Sequence, residues 1–103
     1  MGKPVTLLEG LSGHALSFGA DVLNIEPKDG HEWVCMMKGG VGIGIANYAR
    51  SSADARELRE NLYAARKKPQ RFAVGGRVWI IKVRVYDSFG EDAFEVDRPR
   101  AGP

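Results

Sequence analysis

The chain has one cysteine, two histidines and no apolar run approaching the ~20 residues that span a bilayer. A lone Cys35 excludes an internal disulfide and suits a reducing compartment, so a soluble cytoplasmic protein is expected. His14, His31 and Cys35 supply at most three metal ligands where a structural zinc site takes four, so no metal and no cofactor are expected. The opening "MGKPVTLLEG" has only a short apolar patch and no small-residue cleavage site, so no leader peptide is expected.

What is present is an ordinary globular composition, 44% hydrophobic and 27% charged over 103 residues. That length makes one domain with a core large enough to need no staples. Residues 1–97 carry the apolar pattern. Residues 98–103, "RPRAGP", carry no large apolar side chain and are expected to be a disordered polar tail.

The net charge of +2 hides an asymmetry. Residues 1–49 carry three lysines against five acids, and the remainder carries twelve basic against eight acidic side chains. Between Asn61 and Tyr86, Arg66, Lys67, Lys68, Arg71, Arg77, Lys82 and Arg84 occur with no acid among them.

The first half reads as short strands between turns. "PVTLLE" and "HALSF" are strand candidates, and "ADVLNIE" alternates Leu23 and Ile25 against Asn24 and Glu26. "PKDG", Pro27 to Gly30, has the residue preferences of a type I turn. "HEWVCMMK" follows as a returning strand with Trp33, Cys35 and Met37 on one face. A helix stays open there, because Trp33, Met36 and Met37 also fit a 3.6-residue period.

"SSADARELRENLYAARKKP" is the clear helix. Ser51 or Ser52 caps it, Asp54 completes a capping box on Ser51, and Ala55, Leu58, Leu62 and Ala65 form one apolar stripe. Pro69 ends it. Gly75-Gly76 then reads as a two-residue hairpin turn. One long strand is expected from Arg77 to Tyr86, with Trp79, Ile81, Val83 and Val85 on its core face. Charge pairing registers the last strand: Tyr86 opposite Ala93, Val85 opposite Phe94, Arg84 opposite Glu95, Val83 opposite Val96 and Lys82 opposite Asp97. The sum is an α+β domain. A mostly antiparallel, twisted sheet of about five to seven strands carries one main helix, about residues 52–67, on one face.

Little of this is chemistry. In "KGGVGIGIAN" the dinucleotide spacing G-x-G-x-x-G fails at Ile45 and Asn47, and no P-loop Lys follows. Val41, Ile43 and Ile45 instead alternate with Gly40, Gly42 and Gly44, which makes a strand with one bare face. Close packing by Trp33, Trp79 or the helix is the favoured use of that face, and a partner contact is the rival. Cys35 and His31 on one strand sit roughly 13 Å apart, too far for a dyad. Asp87, Glu91 and Asp92 lack EF-hand spacing and read as a solvated hairpin tip.

The basic block remains. A non-enzymatic binding module is expected, with Arg66, Lys67, Lys68, Arg71 and Arg77 contacting an anionic partner such as nucleic acid or an acidic protein. Interaction or self-association through an exposed sheet edge or the Gly-rich strand is the alternative. A small enzyme using Cys35 with a histidine is the third class.

Overall fold

A computed structural model describes residues 6–102. Helix α1 (Leu7–Phe18) leads into strands β1 (Val22–Lys28), β2 (His31–Lys38) and β3 (Val41–Ala49). Helix α2 (Ala53–Lys67) follows, then β4 (Gln70–Val74), β5 (Arg77–Ile81), β6 (Val83–Ser88), β7 (Glu91–Asp97) and β8 (Arg100–Ala101). The strands form two antiparallel sheets: five strands in the order β3-β2-β1-β7-β6, and three in the order β4-β5-β8. The α+β class holds, with two helices and eight strands among the described residues.

The largest departure from the sequence reading is α1. Strands were expected at "PVTLLE" and "HALSF"; Pro4 and Val5 lie outside the described residues, and Leu7–Phe18 is helical. Thr6 caps it by accepting from the Glu9 amide at 3.1 Å. Gly19, at φ 79°, ends it in a Schellman turn in which the Gly19 and Ala20 amides donate to Leu16 and Ala15. The first-turn amides of Leu7 and Leu8 donate to Glu57 and Asn61 of α2 at 2.9 and 3.2 Å. Tertiary partners thus stabilise a helix whose own Gly10 and Gly13 weaken it.

Helix α2 forms as its stripe predicts. Ser52 is the cap, and Ala55, Leu58, Leu62 and Ala65 are buried. Leu58, Leu62 and Ala65 meet Leu23 and Ile25 of β1, Val34 and Met36 of β2, Val83 of β6 and Phe94 and Val96 of β7 in one core. Burying side chains of this kind contributes ~1.5–3 kcal/mol each. Residues 31–38 are a strand, which settles the helix alternative.

Three hairpins of the main sheet turn on two residues at positive φ: Asp29-Gly30 (52° and 76°), Gly39-Gly40 (57° and 82°) and Phe89-Gly90 (52° and 83°). Positive φ at both central positions is the type I′ signature, which corrects the type I expectation at "PKDG". The primed turn wins because its twist matches that of the flanking strands. Gly75-Gly76 (59° and 77°) joins β4 to β5 in the same way, as its sequence implies.

The expected strand from Arg77 to Tyr86 is two strands broken at Lys82, where the chain passes from the small sheet to the large one. Trp79, Ile81, Val83 and Val85 still share the core side across the break. The register of β6 on β7 is the one the charges predict, from Tyr86–Ala93 through Val83–Val96. Asp97 donates its amide to the Lys82 carbonyl, but its carboxylate is bound by Arg84 at 3.2 Å. The tail differs from the disordered segment expected: Arg100–Ala101 pairs with Trp79 and Ile80 of β5, and Gly102 donates to Val78. Main-chain pairing along β5 and burial of Pro99 hold the segment in place.

Candidate partner-binding site

Alternation divides the main sheet into two unlike faces. Leu23, Ile25, Val34, Met36, Phe94 and Val96 point to the helices and are buried. Asn24, Glu26 and Lys28 of β1, Trp33, Cys35 and Met37 of β2, and Gly42 and Gly44 of β3 point the other way. A cleft of about 480 Å³ opens on this second face, lined by Asn24, Glu26, Lys28, Trp33, Cys35, Met37 and Gly42. That volume falls within the range of ligand-sized clefts.

The cleft is pinned at its polar side. The Tyr86 hydroxyl lies 2.7 Å from Glu26 Oε1, to which it donates, and 2.9 Å from Asn24 Oδ1. Burial, with the bond to Glu26, pushes the Tyr86 phenol up to about 12. Trp33 Nε1 donates to the Lys28 carbonyl at 3.0 Å, which fixes the indole while leaving it exposed.

The glycine face is open. A Cβ on Gly44 would meet no atom within 4 Å, and on Gly42 only the Met37 thioether, 3.2 Å from its sulfur. Close packing by Trp33, Trp79 or the helix, the favoured expectation, is therefore not what the glycines serve. Both helices lie on the opposite side of the sheet. Gly40 belongs instead to the Gly39-Gly40 turn, where φ of 82° suits glycine.

Strand β3 is also an outer strand of the five-stranded sheet. Its nine residues, "VGIGIANYA", contain no charge and no proline. Val41 is 62% exposed and Ile43 36%. A bulge at Ile45 shifts the register, so that Val34 faces Ala46 while Cys35 faces Gly44.

The five predicted cations do not form one surface. Arg66, Lys67 and Lys68 are exposed at the end of α2. Arg71 faces Ile80 across β4–β5, whereas Arg77 faces Val74, on the side of buried Phe72. Three pairs separate the two registers, so Arg71 and Arg77 point to opposite faces. The guanidinium of Arg77 lies 5.5 Å from the Trp79 ring centroid. Arg71 shares its face with Ile80 and Arg100, and a hollow of about 180 Å³ is lined there by Lys82, Arg98 and Arg100 together with the acid Asp97.

The enzyme candidates are dispersed. His31 and Cys35 are four residues apart on one strand, and His14 is exposed on α1. Asp92 accepts from the Tyr63 hydroxyl, Glu91 pairs with Arg50, and Asp87 accepts from the Gly90 amide at 3.3 Å. No group of three or more potential metal-ligating side chains occurs among the described residues. Sequence reading missed fully buried Glu32, which accepts from Arg59 Nη1 at 2.6 Å, with Arg50 Nε at 3.5 Å. An acid in an alternating strand gives no local sign that its partner lies 27 residues away.

No protein-family model matches the chain, and no curated protein matches it in sequence. No helix is long and apolar enough to cross a membrane among the described residues.

Proposed function

We propose that the protein is a non-enzymatic binding module that accepts an extended partner strand along β3. The supporting observation is the uncharged outer strand, with Val41 and Ile43 exposed on one side and the bare Gly42 and Gly44 on the other. Natural sheets protect such edges with lysine, proline or cover, and among the described residues β3 has its bulge alone. Strand addition draws affinity from main-chain hydrogen bonds and specificity from pockets for alternate side chains. The glycines leave room for those side chains to lean towards Met37 and Trp33 in the cleft.

The test is selection of a displayed random-peptide library on the protein. Binders with alternating apolar residues are expected, protecting the β3 amides from hydrogen exchange and losing affinity in Val41→Lys. Selected peptides that protect other amides, and bind Val41→Lys equally, would remove the reading.

A second reading keeps the anionic partner with different residues. It rests on Arg71 and Arg100, which flank Ile80 on the outer side of the small sheet, and on Lys82 and Arg98, which line the hollow beside it; none of the four makes an ion pair among the described residues. A salt-steep oligonucleotide titration lost in Arg71→Ala/Arg100→Ala supports it. Loss instead in Arg66→Ala/Lys67→Ala would return the contact to the helix end.

A further inference from the structure

We infer that the partner strand on β3 is β3 of a second copy of this chain, paired antiparallel about a two-fold axis at Ile43. The inference rests on the strand-accepting reading above and names its occupant.

Self-pairing sets a condition that partner-pairing does not. About a two-fold axis each side chain faces its own sequence reversed, so a charge near the axis confronts its like. β3 meets this condition over all nine residues, whereas β6, the other outer strand of the five-stranded sheet, carries Arg84 and Asp87. Placing Ile43 opposite its copy also sets Val41 against Ile45 and Gly42 against Gly44. Branched side chains then meet on the helix side, where Val41 and Ile43 are exposed. On the other side only glycines meet, so no side chain holds the strands apart. The bulge at Ile45 bends β3 and confines the pairing to Val41–Ile45. Two five-stranded sheets become one of ten, and the two clefts open on the same face.

Sedimentation velocity of the full chain over a concentration series tests this, together with oxidative cross-linking of Ile43→Cys in a Cys35→Ser background. A concentration-dependent dimer is expected, weakened at least tenfold by Val41→Lys. Ile43→Cys should cross-link, and Asn47→Cys should not. Val41 is exposed enough for the lysine variant to fold, which circular dichroism checks. A monomer at every concentration, or a dimer indifferent to Val41→Lys, overturns the inference. If library peptides still protect β3 in that monomer, strand acceptance stands and only the second copy falls. If they do not, both fall.

Discussion

The carboxylate of Glu32, wholly buried on β2, is met at 2.6 Å by Nη1 of Arg59 on α2. Arg50 approaches the same oxygen at 3.5 Å from a more exposed position. Removing Arg59 strands a buried charge, so Arg59→Met should cost about 3 kcal/mol in urea unfolding. Arg50→Met should cost no more than about 1 kcal/mol, as exposed pairs do. Equal losses would mean that the two arginines share the acid evenly.

Tyr86 links the cleft to the pH axis. Its phenol is raised above the ordinary value of 10 by burial and by the bond to Glu26. A raised folded value favours the protonated form in the folded state. Its stabilising contribution is present below pH 10 and is lost as pH rises towards 12. Titration of phenolate absorbance should show a step near pH 12 that Tyr86→Phe removes. Persistence of that step in the variant would assign it to another tyrosine.

Phe89 is fully exposed at a φ of 52°, a strained conformation for an aromatic residue that buries nothing in the chain. Phe89→Asn should therefore raise stability by about 1 kcal/mol, since asparagine tolerates that region and Asn-Gly favours the turn. Thermal unfolding measures it, and a lower midpoint would show that the ring makes a stabilising contact.

Gly44 and Gly42 differ in what an added side chain meets. Gly44→Thr should raise stability by up to about 1 kcal/mol, because a β-branched residue replaces the most flexible one in open space. Gly42→Thr should gain less, because Met37 must move. Destabilisation by Gly44→Thr would show that the glycine backbone itself is needed.

The legibility of the fold follows the range of the forces. The α2 stripe, the Gly75-Gly76 turn and the β6–β7 register are local patterns, and the structure reproduces them. Helix α1 was not legible: Gly10 and Gly13 lower its helix propensity, and Thr6 caps it in the structure. Packing on α2, whose Glu57 and Asn61 bond its first turn, outweighs that propensity. The pairing of Val22–Ile25 with Phe94–Asp97 joins strands some seventy residues apart, and no local pattern encodes it. Pro27 helps to end that pairing, because it has no amide to donate to a neighbour.

The candidate site divides the same way. Alternation in "VGIGI" determined by itself that three branched side chains and the intervening glycines fall on opposite faces, because successive residues of a strand point opposite ways. Periodicity cannot say which face the helices cover, nor whether a strand lies inside a sheet or at its rim. Those were decided by the strand order, which puts β3 outermost, and by both helices packing on the apolar side. Likewise charge clustering along the chain marked Arg71 and Arg77 together, and the hairpin between them turned them to opposite faces.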